Sequence, residues 1–132
     1  MRVIKFRGKR KDNGEWVVGY YVFDERDKEP RIITNTQYST GTHFSSDLAH
    51  RVIPETVGIF SNRIDRNGKE IYQGDIIKSG MTGATYEIMF GEYHTKNDIG
   101  IGFWKKALNG ATDRGLISDA DSEYIIANIH DK

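Results

Sequence analysis

The run from Trp16 to Phe23 constrains the fold more than any other part of the chain. Its eight residues are apolar or aromatic apart from Gly19. Side chains alternate between the two faces of a β-strand, so one face carries Trp16, Val18, Tyr20 and Val22, and the other carries Val17, Tyr21 and Phe23. A strand that is apolar on both faces is either central to a small barrel or covered by a second copy of the protein.

The segment before this run alternates in the same way and predicts its partner strand. Ile4 and Phe6 point away from the basic residues that follow each of them. Between the two segments lies a turn signal that ends in Gly14, which can take the positive φ of a tight hairpin. We therefore predict an N-terminal β-hairpin lobe over residues 1–60. It includes a long polar loop, from Thr34 to His50, which is either functional or mobile.

The second half of the chain predicts several short strands and no helix. Asn67-Gly68 is a second hairpin turn, and a polar hairpin tip is expected from Gly91 to Asp98. One alternating segment has Tyr86, Ile88 and Phe90 on one face, and a second has Ile99, Ile101 and Phe103 on one face. A closing strand is expected from Tyr124 to His130. Strands of this number and length are typical of an SH3-like antiparallel β-barrel. We predict a mainly β protein with this barrel over residues 61–132.

The composition excludes several classes of protein. Lys and Arg number 19 and Asp and Glu number 19, so the 132-residue chain is formally neutral. This balance argues against a dedicated nucleic-acid coat or a membrane-surface binder. The chain has no cysteine, which excludes disulfides, a thiolate nucleophile and cysteine-ligated metals. It also lacks the apolar segment of a signal peptide or membrane helix, so we expect an intracellular protein that does not bind membranes.

Three carboxylates are the best candidates for enzymatic chemistry, and the sequence favours a structural role for them. Asp65, Glu70 and Asp75 are close enough in sequence to hold Mg²⁺ together. The structural interpretation is that Asp65 starts a turn, Glu70 faces solvent and Asp75 accepts bonds from backbone N–H groups. The four histidines follow no metal-ligand spacing. We therefore predict no catalytic residue, no metal and no cofactor, with a metal-dependent hydrolase as the least favoured alternative.

Binding is the better functional hypothesis. The apolar strand offers more surface than a small monomer easily covers, which predicts self-association through Trp16, Tyr20 and Tyr21. The alternative is a nucleic-acid-binding barrel. Its candidate contacts are Arg7, from a basic patch between Lys5 and Lys11, and an aromatic and cationic pair, Trp104 and Lys105.

Several longer strings resemble the YopX-like family of phage and prophage proteins, in the family's order along the chain. They are Ile4-Lys5-Phe6-Arg7, Val52-Ile53-Pro54-Glu55-Thr56-Val57-Gly58, Asp65-Arg66-Asn67-Gly68-Lys69-Glu70-Ile71-Tyr72-Gln73-Gly74-Asp75-Ile76-Ile77 and Ile126-Ala127-Asn128-Ile129-His130. The resemblance implies a β-rich fold with a small barrel, a phage or prophage origin and self-association. It implies no activity, because the family has no settled biochemical function. Together with the residues it leads us to expect a non-enzymatic accessory protein of the bacterial cytoplasm, with a host or phage protein as a further candidate partner.

Overall fold

The computed structural model describes residues 4–34, 49–94, 99–108, 114–115 and 123–130. These residues form strands β1 to β11 and one 3₁₀ turn. The strands are β1 Phe6–Lys9, β2 Trp16–Asp24, β3 Glu29–Ile33, β4 Ala49–Arg51, β5 Gly58–Ile64, β6 Glu70–Tyr72, β7 Asp75–Ser79, β8 Thr85–His94, β9 Ile99–Ala107, β10 Arg114–Gly115 and β11 Glu123–Asn128. The 3₁₀ turn is Pro54–Thr56. All ladders are antiparallel, and no α-helix occurs in the described ranges, so the prediction of a mainly β protein is confirmed.

The chain divides into two compact units, residues 1–59 and 60–132. In the first unit the strand order is β4-β3-β2-β1, and the first residues of β5 pair with β1. The predicted N-terminal hairpin is confirmed, because β1 pairs with β2 from Phe6↔Gly19 to Lys9↔Trp16. Gly14 has a φ of 72° in the turn, a backbone conformation that glycine adopts without strain.

The ladders on the two sides of β2 do not overlap. β1 pairs with β2 through Trp16–Gly19, and β3 pairs with it through Tyr20–Asp24. The change of partner occurs at Gly19, where a Cβ atom would overlap the carbonyl oxygen of Ile33. Glycine is therefore required where the two strands approach each other this closely.

The core of the first unit is formed by Ile32, Ile33 and Val52. Thr56 ties the 3₁₀ turn to β1, since its Oγ1 accepts a hydrogen bond from the Lys9 backbone N–H at 2.9 Å. The end of the predicted polar loop is instead strand β4, which pairs with β3. Residues 35–48 of that loop lie outside the described residues.

In the second unit β5 and β6 form a hairpin, and a five-stranded sheet has the order β10-β9-β8-β7-β11. Its core is a cluster of Ile71, Ile77, Tyr86 and Ile88. The expected SH3-like barrel is not closed. In the described part of the chain β10 pairs only with β9, and β11 only with β7, so the two ends of the sheet are not joined to each other as a closed barrel requires.

The open sheet is nevertheless strongly curled. The Lys105 Nζ on β9 lies 2.9 Å from a carboxylate oxygen of Glu123 on β11, although β8 and β7 separate these two strands in the sheet. The pair closes part of the gap that a barrel would close with backbone hydrogen bonds. A curled open sheet and a closed barrel are both built from short alternating strands, so the sequence pattern alone does not distinguish them.

The β8–β9 hairpin is longer than its sequence predicts. β8 continues through Gly91 to His94, which pairs with Ile99, so the expected tip over Gly91–Asp98 is wrong at its start. The cross-strand pair Gly91↔Gly102 has φ values of 139° and 145°. Glycine adopts such values readily, and this lets the ladder continue where a tip was expected.

Candidate functional site

The most open apolar surface of the first unit is on β2. Five of its side chains are 40–57% exposed, and we call them the β2 surface. They are Val18, Tyr20, Tyr21, Val22 and Phe23. Alternation places Tyr20 and Val22 on one face and Tyr21 and Phe23 on the other. Exposed apolar side chains scattered singly are ordinary, but a contiguous group of this kind marks an interaction surface.

The strand partners of β2 explain why this surface is open. The sequence left two interpretations, a strand central to a barrel or a strand covered by a second copy. In the described residues β2 is not a barrel strand, because each half of it pairs on one side only. The geometry therefore excludes the first interpretation, and the second stays a prediction.

The three residues predicted for self-association have different surroundings. Tyr20 is the most exposed member of the β2 surface. Tyr21 contacts Phe6 on β1, with ring centroids 5.5 Å apart. Trp16 is half-buried and lies under two cations. The open part of the strand therefore begins after Trp16, and it includes Val22 and Phe23, which were present in the apolar run but not singled out.

Trp16 is the centre of a basic and aromatic cluster. The Arg7 guanidinium lies 4.6 Å from the centroid of the Trp16 ring, and the Lys9 ammonium lies 5.4 Å from it. Both cations face the ring because β1 positions 7 and 9 are opposite β2 positions 18 and 16. Cations over an indole face are attracted by its quadrupole. The predicted contact residue Arg7 is thus held on an aromatic surface.

Two other cations of the predicted basic patch, Arg10 and Lys11, are paired with acids. Arg10 bonds Asp12 at 2.6 Å, and Lys11 bonds Glu29 at 2.6 Å. The hydrogen bond from Arg10 holds the pKa of Asp12 below its usual value. Of the five cations in the predicted patch, Arg7 and Lys9 are therefore the two that lie against Trp16.

Trp104 and Lys105 are in the second unit, and they point to opposite faces of β9. Trp104 is half-buried and packs near Tyr93, with ring centroids 6.4 Å apart. Lys105 and its partner Glu123 each have a side chain only 5% exposed, and the Lys105 ammonium also lies 5.0 Å from the Tyr86 ring centroid. The geometry gives no support to Lys105 as a ligand contact. Its burial depends on the curl of the sheet, for which the sequence carries no signal.

The three candidate metal carboxylates are used as hydrogen-bond acceptors. Asp65 Oδ1 accepts the backbone N–H groups of Asn67 and Lys69, both at 2.9 Å, and its Oδ2 accepts that of Ile125 at 3.0 Å. Burial raises the pKa of Asp65, but these three donors outweigh it and the pKa is lowered overall. Asp65 therefore fixes the turn and attaches it to β11.

Glu70 and Asp75 have similar structural roles. Glu70 is exposed and accepts a hydrogen bond from the Tyr72 hydroxyl at 3.0 Å. Asp75 is buried and accepts the Tyr72 backbone N–H at 2.8 Å and the Asn128 side-chain amide at 3.3 Å. These contacts agree with the structural interpretation of the motif. Among the described residues no three His, Asp or Glu side chains are grouped as a metal site.

Further apolar exposure occurs at the outer end of the β8–β9 hairpin. Ile101 on β9 is 85% exposed, opposite Glu92. Its side chain is on the same face of β9 as that of Phe103, which packs partly against the core. The strand pattern predicted this alternation, but only the structure shows that the core ends before Ile101.

These features define an antiparallel β protein whose buried carboxylates are structural and whose exposed apolar strand is the leading candidate surface. None of the described residues forms a helix with the length and apolarity needed to cross a membrane. The family model described as YopX protein matches residues 5–132, so the chain belongs to the YopX family and the predicted resemblance is confirmed. No curated protein matches the chain significantly.

Proposed function

We propose that this YopX-family protein is a non-enzymatic, self-associating interaction module whose contact is the β2 surface. It would serve as an accessory protein of a phage or prophage in the bacterial cytoplasm. The observation that carries the proposal is the exposure of five apolar side chains on one strand, on both of its faces. Leaving such a surface in water is unfavourable by about 25 cal/mol for each Å² that a contact would bury.

The non-enzymatic part of the proposal is supported by the hydrogen bonds of the acidic motif. Asp65 and Asp75 are buried and each accepts bonds from backbone or amide donors. Each of these hydrogen bonds occupies a carboxylate lone pair that Mg²⁺ would otherwise use. The motif that most resembles a catalytic cluster is therefore better explained by its role in folding.

Light scattering after size exclusion at micromolar concentration tests self-association. The wild-type particle is expected at a multiple of 15.1 kDa. Tyr20→Glu places a charge in the β2 surface and is expected to lower the mass to that of one chain. Met81→Glu is the matched control, since Met81 is 84% exposed on a turn of the second unit; its mass should equal that of the wild type. A wild-type particle of 15.1 kDa would contradict the proposal.

A second candidate function, single-stranded nucleic-acid binding, is favoured by the group around Trp16. Aromatic faces combined with cations bind bases and phosphates without sequence preference. Here Arg7 and Lys9 both lie over one indole, and Tyr20 extends the aromatic surface along the same face of β2.

Fluorescence anisotropy with a labelled oligothymidine tests this second candidate. Binding is expected to weaken as salt rises, and Arg7→Gln should weaken it further. Arg26→Gln is the matched control, because Arg26 is a cation of the same unit whose side chain is 92% exposed away from Trp16. Equal effects of the two substitutions, or no binding at low salt, would contradict it.

A further inference from the structure

We propose that two copies of the chain pair antiparallel through Tyr20–Asp24, with the two-fold axis at Val22, so that their N-terminal sheets become continuous. The inference rests on the proposed self-association and names its geometry. In this pair the β2 surface of each copy is covered by strand β2 of the other copy.

The first step concerns the backbone of β2. Tyr20–Asp24 pairs with β3 on one side. On the other side the β1 ladder ends at Phe6↔Gly19, and Ile4 and Lys5, the next residues toward the N-terminus, are not in a strand. No described strand pairs with Tyr20–Asp24 on that side. An edge of this kind is a template for a strand of another chain.

The second step concerns the side chains. A partner stacked on one face of the sheet would cover Tyr20 and Val22, or Tyr21 and Phe23, but not both pairs. A strand added at the edge supplies cross-strand neighbours to both faces at once. Since both faces of β2 are exposed, addition at the edge accounts for more of the exposed surface than stacking does.

The third step is that the segment is complementary to itself. Pairing about Val22 places Tyr21 of one copy opposite Phe23 of the other, and pairs of aromatic residues stabilise a sheet. No charged residue occurs from Tyr20 to Phe23, so two copies bring no like charges opposite each other there. The segment also lacks the Lys and Pro residues that natural edge strands use to prevent pairing.

The absence of cysteine from the chain allows a sharp test by oxidative cross-linking of single-cysteine variants. In the proposed pair the two Val22 residues are opposite each other, with Cα atoms about 4.5–5.5 Å apart, within the range of a disulfide. The two Tyr20 residues are offset by four residues, or about 13 Å along the strands, beyond disulfide reach.

Val22→Cys is therefore expected to form a two-chain band on a non-reducing gel roughly ten times faster than the matched control Tyr20→Cys. Val22→Lys provides a second measurement that does not need a disulfide. It is expected to keep the wild-type circular dichroism spectrum and to give a single-chain mass, because a charge at the axis meets its own copy. Wild-type dimers in which Val22→Cys does not cross-link would overturn this geometry and leave the proposed self-association intact.

Two other outcomes would also overturn the geometry. A wild-type protein that is monomeric by light scattering removes both the proposed function and this inference. A Val22→Cys protein that stays unreactive to maleimide while monomeric would mean that another part of the same chain covers the edge.

Discussion

Residues 4–59 leave an apolar strand exposed on both faces, whereas the described part of residues 60–132 buries four charged side chains. Those four are Asp65, Asp75, Lys105 and Glu123, and they are the only charged side chains that are buried among the described residues. In the first unit the charges remain near the surface, as in the pairs that Asp24 and Asp27 form with Arg31. The two units thus differ in where they place charge, whereas both expose apolar side chains, and those of the second unit include Ile101.

The contrast concerns the cost of burying charge. A buried charge costs several kcal/mol unless the protein supplies partners for it. Lys105 and Glu123 pair with each other, and Asp65 and Asp75 accept hydrogen bonds from N–H groups. The described part of the second unit therefore supplies partners for its own buried charges. The first unit leaves apolar area without cover, which supports the proposal that it meets another chain.

The largest expected effect comes from the buried pair on β9 and β11. Glu123→Leu leaves the Lys105 ammonium buried without its carboxylate partner. Removing one member of a buried pair costs about 3–5 kcal/mol in the free energy of unfolding. Urea unfolding followed by circular dichroism measures this loss.

The matched controls separate burial from charge. In Lys105→Met combined with Glu123→Leu no unpaired charge remains, so the stability should return to within about 1 kcal/mol of the wild type. Lys11→Met breaks a pair of similar length, at 2.6 Å, but on the surface, and should cost no more than about 1 kcal/mol. Equal losses from Glu123→Leu and Lys11→Met would remove the contrast between the units.

Local sequence signals predicted where the strands lie better than they predicted what surrounds each side chain. The Asn-Gly turns set both hairpins, since Gly14 and Gly68 have φ values of 72° and 83°, and strand alternation assigned the faces of β2 correctly. The burial of Lys105 was not predicted, because its immediate neighbours in sequence are typical of a solvated strand end. Only the curl of the sheet brings Glu123 to it, and that contact joins residues 18 positions apart.

The candidate surface on β2 was also predictable in part, because strand alternation is a local signal in the sequence. The apolar run identified β2 as the strand that needs cover, including Tyr20 and Tyr21. The pattern contained no information on which half of the strand each neighbour pairs with, because that depends on where β1 and β3 end. The separation of the two ladders at Gly19 is a property of the assembled sheet.

The next largest effect is expected at Gly19, where an added methyl group would meet backbone atoms and not a movable side chain. A methyl group there would overlap the Ile33 carbonyl oxygen, so the backbone of β3 must move. We expect Gly19→Ala to destabilise the first unit by about 3 kcal/mol, the upper end of the usual cost of overpacking. Each unit contains one Trp, Trp16 or Trp104, so fluorescence in a Trp104→Phe background reports on the first unit.

Gly100→Ala is the control for this substitution. A Cβ at Gly100 would lie 2.7 Å from the Tyr93 hydroxyl oxygen, but that contact involves a side chain which is able to rotate. Its expected cost is about 1 kcal/mol, the lower end of the same range. If Gly19→Ala proved as mild as Gly100→Ala, close backbone approach would not explain the change of partner along β2.

The smallest of the three effects is expected at Asp65, and it depends on pH. Its pKa is lowered in the folded protein, so its contribution to stability is fully present above the unfolded value of about 3.9. That contribution is lost as pH falls below about 4, toward and through the lowered pKa of the folded state. Hydrogen bonds to a charged group contribute about 1.5–3 kcal/mol, and we expect Asp65→Asn to cost about 2 kcal/mol at pH 7.

The pH dependence distinguishes the buried carboxylate from the exposed ones. Urea unfolding at pH 7 and at pH 3 should show the gap between wild type and Asp65→Asn narrowing in acid, because protonation removes the same charge from the wild type. The pKa of Asp12 is also lowered, through its bond with Arg10, but its carboxylate is exposed to solvent, so Asp12→Asn should show a much smaller gap at both pH values. A gap for Asp65→Asn that stayed constant with pH would mean that its charge does not hold the turn against β11. The Asp65 carboxylate would then stabilise the second unit through its shape and not through its charge.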